Sequence, residues 1–291
     1  MRALALLVMA GCGLDMTADQ PWVSIDGIGA PLAPDGAPPP PTTKPAPTGP
    51  VRIVTYNVQY GPDLAGAAAA IAGDPALASA GVILVQEIEA YPGEGATRAA
   101  TLAGLLGMGF VYVPARVKGD GTHGLAILSA FPIANVEKMD LPDSRRHESQ
   151  HRIAIAADIA FGDRTLHVID VHLDTKLEPS ERIAQLHPAA IDAPDTTLIG
   201  GDFNTSWIAW ANGVPIIETS GASDQGPIVD SYMAGLAFDT PTAGCGPTEH
   251  MFGVEQRLDA IYTRGLGVAF GGVVRVGPSD HWPLWVDVTV P

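Results

Sequence analysis

Short apolar runs, separated by turns that contain glycine and proline, alternate with amphipathic stretches over residues 51–290. The apolar runs predict strands at residues 51–58, 82–85, 110–113, 125–128, 196–199, 258–262, 268–276 and 284–290. A hairpin is predicted at residues 152–161 and 165–173, with Gly162 and Asp163 at its turn. Helical spacing or high alanine content predicts helices at residues 63–72, 97–106, 178–191 and 228–236.

This order of elements mixes hairpins with strands that are separated by helices. Two sheets packed face to face, with helices on their outer faces, would bury the apolar runs. The pattern therefore favours an α/β class, although other α/β arrangements satisfy the same pattern.

Residues 1–12 predict an export signal. Arg2 supplies a positive charge, and the following apolar stretch is too short to span a bilayer. Small residues then lead to Cys12, which is similar to a bacterial lipobox, so we expect cleavage before Cys12 and lipidation of its thiol. Such a lipid would anchor the protein to a membrane of the cell envelope, on the periplasmic or extracellular side. The alternative is an ordinary secretory signal that releases the protein.

Residues 13–50 predict a linker. The segment PLAPDGAPPPPTTKPAPTGP at residues 31–50 is rich in proline, alanine and threonine and has too little apolar surface for a core. The folded domain is therefore expected at residues 51–291. Cys245 has no second cysteine with which to form a redox or metal pair once Cys12 is lipidated, so we interpret it as structural or incidental.

The chain of 291 residues is strongly acidic. It has 32 Asp and Glu residues against 16 Lys and Arg residues, a net charge of −16. This balance argues against high-affinity binding of duplex nucleic acid, which needs clustered cations. It does not exclude a metal-dependent enzyme, because a bound cation offsets charge locally.

Polar side chains recur at the ends of the predicted strands. They are Asn57, Glu87, His172, Asp202, Asn204, Asp259, Asp280 and His281. In the segment GGDFNTS at residues 200–206, an acid and an amide follow a buried strand directly. Each residue taken singly can be interpreted as a turn or cap residue. Together they indicate one site at the rim of a sheet.

The segments TYNV, QE, DVHLD, GDFNT, RLDAIY and SDHWP occur in the order of the endonuclease/exonuclease/phosphatase family, which this chain resembles over residues 51–290. That family includes deoxyribonucleases, abasic-site endonucleases, neutral sphingomyelinases and inositol-polyphosphate 5-phosphatases. The resemblance implies a four-layer α/β/β/α sandwich of two mixed, mainly antiparallel sheets flanked by helices. It also implies hydrolysis of a phosphate ester by activated water.

The resemblance implies a divalent cation held mainly by Glu87, with Asn57 and Asp280 nearby. These hard oxygen donors suit Mg²⁺ or Mn²⁺ better than zinc. Such a cation would neutralise a phosphate oxygen and stabilise charge on the leaving oxygen.

The resemblance also assigns catalytic roles. Asp202 and Asn204 are expected to position the attacking water, and Asp202 is a candidate for its base. Asp259 and His281 resemble the family's carboxylate–imidazole pair, in which His281 either takes a proton or holds the phosphate. His172 is expected against the phosphate or the leaving group.

Arg145, Arg146, His147, His151 and Arg152 form a basic cluster in an otherwise acidic domain. The cluster could bind an extra phosphate or an acidic head group, and a solvated loop is the equal alternative. Arg152 also begins a predicted strand, which suits a structural role.

His123, within GTHGLAILS, is expected either to face the pocket or to belong to the core. The chain also departs from several relatives. It has no counterpart of the abasic-site endonucleases' phosphate-facing tyrosine, no long basic segment and no aromatic membrane hairpin.

The sequence thus predicts a monomeric phosphoesterase whose substrate is nucleic acid, a phospholipid head group or a small phosphoester. A binding module that kept the fold and lost catalysis is the alternative function, and a structural envelope protein is a third.

Overall fold

The computed structural model describes residues 35–37, 49–144, 149–211, 214–216, 224–251 and 253–291. Its strands are β1 Asp35–Ala37, β2 Val51–Tyr60, β3 Ala80–Ala90, β4 Gly109–Lys118, β5 Gly121–Ser129, β6 Ile133–Asp140, β7 Ile153–Phe161, β8 Arg164–His172, β9 Thr197–Asp202, β10 Ala209–Ala211, β11 Val214–Ile216, β12 Glu249–Met251, β13 Val254–Gln256, β14 Asp259–Arg264, β15 Gly267–Val273 and β16 Leu284–Thr289. Its helices are α1 Leu64–Gly73, α2 Arg98–Leu106, α3 Pro179–Ala190 and α4 Gly226–Gly235.

The larger strands form two sheets. The first has the order β1-β4-β5-β3-β2-β16-β15, and the second has the order β14-β9-β8-β7-β6. Both are mixed, because β2 runs parallel to β3 and β8 runs parallel to β9, while their other pairings are antiparallel. Two small hairpins, β10–β11 and β12–β13, lie outside these sheets.

The two sheets pack face to face over an aliphatic core, to which Leu84 and Val286 of the first sheet and Val168 and Ile261 of the second contribute. Helices α1 and α2 cover the outer face of the first sheet. Helices α3 and α4 cover the outer face of the second sheet, where the Phe203 and Tyr262 rings meet edge to face. Burial of apolar surface on both faces of each sheet drives this layering. The predicted four-layer sandwich is confirmed.

The strongest apolar patterns are confirmed as elements. The predicted hairpin is β7–β8, and the four predicted helices are α1 to α4 within a few residues. Strands β4 and β5 extend well beyond their apolar runs, and β6 was not predicted because its pattern is largely polar. The predicted linker contributes β1, which pairs with β4. Within residues 1–50 the structure describes only residues 35–37 and 49–50, so Cys12, the predicted signal and most of the linker lie outside the described residues.

No helix in the described part of the chain is long and apolar enough to cross a membrane.

Candidate active site at the rim of the two sheets

Three predicted site residues lie side by side across the second sheet. His172 at the end of β8 pairs with Asp202 at the end of β9, and Asp202 pairs with Asp259 at the start of β14. Directly paired residues project to the same face of a sheet. The register therefore brings one imidazole and two carboxylates, separated by up to 87 residues in sequence, to one edge.

The first sheet contributes Asn57 from β2 and Glu87 from β3, and backbone irregularities place both. The register of β3 shifts after Val85, and Glu87 has a φ of 58°. Gln59 and Tyr60, at the end of β2, also have positive φ values. Non-glycine residues with positive φ are strained, and such strain is concentrated at functional sites. The bulge thus directs the Glu87 carboxylate to the rim instead of leaving it in the regular strand alternation.

A direct hydrogen bond joins the two sheets at this rim. Asn57 Nδ2 donates to Asp202 Oδ2 over 3.0 Å, and Asn57 Oδ1 accepts from the Gln59 amide. Both Asn57 and Asp202 are buried. Asn57 therefore holds the carboxylate of Asp202, and its side-chain oxygen is fixed by the backbone of β2.

Asp202 is held by the loop that follows it. Asn204 has a φ of 50°, its amide donates to Asp202 Oδ1 over 2.8 Å, and its Nδ2 donates to the Leu173 carbonyl. This is an Asx-type turn, for which asparagine is suited because it tolerates the left-handed region. Burial raises the pKa of Asp202 to about 7, and the positive charge of His281 opposes that rise. Asp202 is thus a carboxylate that takes up a proton near neutral pH.

The Asp259–His281 pair predicted from the resemblance lies together in the structure. His281 Nδ1 donates to Asp259 Oδ2 over 2.8 Å, and Thr248 Oγ1 accepts the Asp259 amide. Burial acts against the charged ring, but the charges of Asp259 and Asp202 outweigh it and raise the pKa of His281 to about 10. His281 is therefore an imidazolium at neutral pH, with Nε2 3.8 Å from Asp202 Oδ2.

His172 is in the opposite protonation state. Burial, together with the charge of Arg152, lowers the pKa of His172 well below its usual value. Arg152 Nη1 lies 2.9 Å from His172 Nδ1 and 3.0 Å from His172 Nε2, so the guanidinium lies against a neutral ring. His172 Nε2 lies 3.5 Å from Asp202 Oδ2 and 3.8 Å from Glu87 Oε1.

The residues at this rim fit a divalent cation. Oxygen atoms of Asp202 and Asp259 lie within 4.8 Å of each other and of a ring nitrogen of His281, and the two carboxylates are the groups of this cluster that can bind a cation while His281 is protonated. Asp259 Oδ1 is buried and has no hydrogen-bond partner among the described residues, which is the state of an oxygen that a cation would satisfy. The Glu87 carboxylate is one-fifth exposed and lies 3.8 Å from His172 Nε2. A buried acidic and histidine cluster suited to a metal is therefore present.

The predicted ligands Glu87, Asn57 and Asp280 reach the same rim by different contacts. Gln59 joins two of them, because its amide donates to Asn57 Oδ1 and its Nε2 donates to Asp280 Oδ2 over 2.9 Å. Within the described residues Glu87 forms an ion-pair contact with His172 and no hydrogen bond with Asn57 or Asp280. The ligand set stays a prediction.

The basic cluster divides between the surface and the interior. Arg152 is 6% exposed and faces the site. His151, its neighbour, contacts the surface acids Asp140 and Asp143. His123 is buried, with its ring centroid 6.2 Å from that of His172, so it faces the site from β5. Arg145, Arg146 and His147 lie outside the described residues.

Arg182 of α3 was not singled out from the sequence, although it is fully buried. Its Nη1 donates to the carbonyls of Asp174 and Phe203, and its other nitrogens bond Gln225 and Leu177. The guanidinium therefore joins the loops that follow β8 and β9. It fixes the backbone next to Asp202. The sequence does not indicate that this arginine is buried, because most arginines on helices face solvent.

A buried polar network under the rim was also not predicted. Gln86 Nε2 donates to Asp170 Oδ1 over 2.6 Å, and the Thr55 hydroxyl lies 3.2 Å from Gln86 Oε1. Asp170 is fully buried, and burial raises its pKa well above the usual carboxyl range. Thr55 and Asp170 each precede a site residue by two positions on the same strand face, so the network supports Asn57 and His172 from below.

The protein has two face-to-face sheets with an Asp–His pair and further acids at one rim. This arrangement is that of a phosphoesterase sandwich fold. The model of the Endonuclease/Exonuclease/phosphatase family matches residues 54–281. The chain belongs to this family, whose members are typically divalent-metal-dependent hydrolases of phosphoester bonds. No curated protein matches the sequence significantly.

Solved structures show the same fold at low sequence identity. A family protein from Leptotrichia buccalis superposes with a TM-score of 0.60 at 16% identity, covering 82% of this chain and 99% of that one. D. rerio TDP2 complexed with a single-strand DNA product gives 0.58 at 16% identity, covering 83% and 99%. The human Nocturnin catalytic domain with a bound sulfate anion gives 0.59 at 16% identity, covering 84% and 94%.

Proposed function

We propose that this protein is an exported, lipid-anchored phosphoesterase that uses a divalent cation and activated water. One observation carries the proposal. The buried Asp202 carboxylate, whose pKa is raised, lies between a neutral His172 and a protonated His281. This arrangement supplies a base for water and a cationic donor for phosphate at the same place.

Asp202 is the group that takes the proton from the attacking water. A general base is most effective when its pKa lies near the working pH, and burial gives Asp202 that property. Asn57 and Asn204 hold the carboxylate in one orientation. The water oxygen attacks phosphorus as its proton passes to Asp202, and the bond to the leaving oxygen breaks.

His281 holds the phosphate. An imidazolium whose Nδ1 is fixed by Asp259 presents Nε2–H to a non-bridging phosphate oxygen. This favours the phosphate-holding role of His281 over the role of base. Arg152 brings a second positive charge to the same side, because its guanidinium contacts the His172 ring. The neutral His172 ring lies where it can contact the phosphate or the leaving group.

The residues that would hold the cation are Glu87, Asn57 and Asp280, with the carboxylates of Asp202 and Asp259 beside them. Mg²⁺ or Mn²⁺ suits these oxygen donors. Bound there, the cation neutralises charge on the phosphate and on the leaving oxygen.

The proposed substrate is a phosphodiester, with nucleic acid, a phospholipid head group and a small diester as the sources to compare. The single-strand DNA product bound to TDP2 and the sulfate bound to Nocturnin support an oxyanion substrate. The net charge of −16 favours short or single-stranded substrates over long duplexes.

Hydrolysis of plasmid DNA, single-stranded oligonucleotides, sphingomyelin, phosphoinositides and bis(p-nitrophenyl) phosphate with Mg²⁺ or Mn²⁺ tests the proposal. We expect activity that EDTA abolishes and that either cation restores. Asp202→Ala and His281→Ala should each lower kcat by about 10²- to 10⁴-fold. Lys138→Ala, which removes an exposed cation of β6, is the matched control. Binding of a phosphorylated ligand without turnover by any cation would instead establish a silent binding module.

The anchor has its own test. Mass spectrometry of the mature protein should find an N-terminal, lipid-modified Cys12, and membrane fractions should contain the protein. Cys12→Ser should release the protein from the membrane fraction. An unmodified N-terminus beyond Cys12 would refute the anchor and leave the catalytic proposal intact.

A further inference from the structure

A second group of polar side chains lies across the first sheet beside the catalytic rim. Glu89 of β3 pairs with His123 of β5, and His123 pairs with Arg116 of β4. The register of β4 shifts between Pro114 and Arg116. Since directly paired residues project to one face of a sheet, Arg116 lies on the face where His123 approaches His172.

The acid in this row is already neutralised. Glu89 forms ion pairs with Lys118 and with Arg98, and Tyr91 donates a hydrogen bond to it over 2.8 Å. Glu89 is therefore an anion whose charge is matched by its own cations, and it does not neutralise a further one.

Arg116 has no such partner. Among the arginines that the structure describes, it alone makes neither a hydrogen bond nor an ion pair, and its Nε is buried. The others bond carboxylates, carbonyls or, for Arg152, the His172 ring. In a chain with twice as many acids as bases, an unneutralised, half-buried guanidinium is unexpected unless a ligand completes it.

Neighbouring groups point to the same ligand. Within the described part of the chain, His123 is 3% exposed and its ring nitrogens form no hydrogen bond, although Nδ1 lies 3.6 Å from Glu89 Oε1. Arg152 Nε is also buried without a hydrogen bond there. A small cavity of about 10 Å³, the space of one water molecule, lies between His123 and Arg152, and Ala115, the neighbour of Arg116, contributes to its lining. The strand register places Arg116 next to His123, at the edge of this cavity and beside the catalytic rim.

We propose that Arg116, with His123 beside it, binds a second anionic group of the substrate, a phosphate other than the one that is cleaved. The inference rests on the proposed phosphoesterase activity and adds a specificity: substrates that carry a second phosphate near the cleaved one are preferred. A guanidinium matches a phosphate by paired N–H donors, which an ammonium cannot reproduce. Such a phosphate is either the terminal monoester of a small molecule or the next diester of a strand.

The test compares p-nitrophenyl esters of thymidine 5′-monophosphate with and without a 3′-phosphate, using the full chain and Mg²⁺. One charge-assisted contact should make the wild-type kcat/KM about 10- to 100-fold higher for the 3′-phosphorylated ester. Arg116→Ala should bring the ratio of the two values close to one, and Arg116→Lys should leave an intermediate ratio. Lys138→Ala should keep the wild-type ratio. If Arg116→Ala lowers both values equally, the arginine is structural and the proposal fails.

A third ester, in which a 3′-linked nucleoside converts the extra phosphate into a diester, separates the two sources. A small-molecule site loses the preference with this ester, and a strand-binding site keeps it. Should the protein hydrolyse none of these esters, titration calorimetry with thymidine 5′-monophosphate and thymidine 3′,5′-bisphosphate decides the inference independently. Tighter binding of the bisphosphate that Arg116→Ala removes supports the site, and equal affinities overturn it.

Discussion

Asn57 and Asp202 are hydrogen-bonded over 3.0 Å although 145 residues separate them and they belong to different sheets. The bond closes the rim between β2 and β9 and orients the proposed base. It forms because β2 and β9 end at the same rim of the sandwich. Both side chains are buried there, where an unpaired polar atom would cost free energy of folding.

Asn57→Ala should therefore impair catalysis more than folding. Without the donor, Asp202 Oδ2 loses its fixed orientation, and kcat should fall by about 10²-fold or more, the range for a misplaced catalytic group. Steady-state kinetics with a circular-dichroism melt measure both effects. The orienting role is wrong if kcat stays within threefold of the wild-type value while the fold is intact.

Asp202→Asn should change stability with a characteristic pH dependence. The folded-state pKa of Asp202 is raised, so the folded protein retains this proton when the unfolded chain has lost it. The contribution of Asp202 to the free energy of unfolding of the wild type is greatest below the ordinary carboxyl pKa, and it is lost as the pH rises toward about 7. The Tm of the variant minus that of the wild type should consequently be more positive at pH 8 than at pH 5.

This comparison is made in EDTA, so that no cation alters the titration. Lys138→Ala, far from the buried acids, should show no such trend between the two pH values. A difference in Tm that does not change with pH would contradict the raised pKa.

Asp259→Asn should move the alkaline limit of activity. Burial acts against the His281 cation, and Asp259 and Asp202 together keep its pKa at about 10. Loss of the Asp259 charge lowers that pKa, so the protonated ring is lost at lower pH and kcat/KM should decline earlier on the alkaline side. A pH–rate profile from 6 to 10 measures the shift. Coincident alkaline limbs for the two proteins would exclude His281 as the cationic phosphate donor.

Arg182→Met should destabilise the fold and the site together. The substitution leaves the carbonyls of Asp174 and Phe203 buried without a donor, which costs about 1–3 kcal/mol for each group. Urea unfolding should show a loss of about 3 kcal/mol, and kcat should fall because Phe203 follows Asp202 directly.

Arg264→Met is the matched control, because Arg264 also bonds backbone carbonyls, those of Pro194 and Leu236, but near the surface. Its loss should cost less than half as much and leave kcat within a few-fold of wild type. Equal costs for the two variants would show that burial of Arg182 has no special role.

Much of the fold could be predicted from sequence because apolar periodicity is a local property. The fully apolar run of residues 82–85 can only be a buried strand, and it lies at the centre of the first sheet. Strand β6 has a polar exposed edge and gave no comparable signal. Strand β1 lies in a proline-rich segment, where composition favours a linker, and tertiary pairing with β4 decided its conformation.

The site was predictable to the extent that polar residues ended strong strands. Asp202, His172 and Asp259 were each identifiable in that way, and the register brings them side by side. Arg182 and Arg116 were not identifiable, since their significance depends on which partners surround them. An arginine with four buried acceptors, such as Arg182, and an arginine with none look the same in a sequence.

The amino-acid sequence by itself determined most of the strands and helices, the α/β class and the set of acids, amides and imidazoles at strand ends, because these follow from local hydrophobic pattern and turn chemistry. Only the tertiary structure decided that His172 is neutral while His281 is charged, that Arg152 faces inward while His151 faces solvent, and that Arg116 has no partner in the part of the chain that the structure describes. Those properties depend on burial and on distances of a few ångströms between residues far apart in the chain, and electrostatic energies vary steeply over such distances.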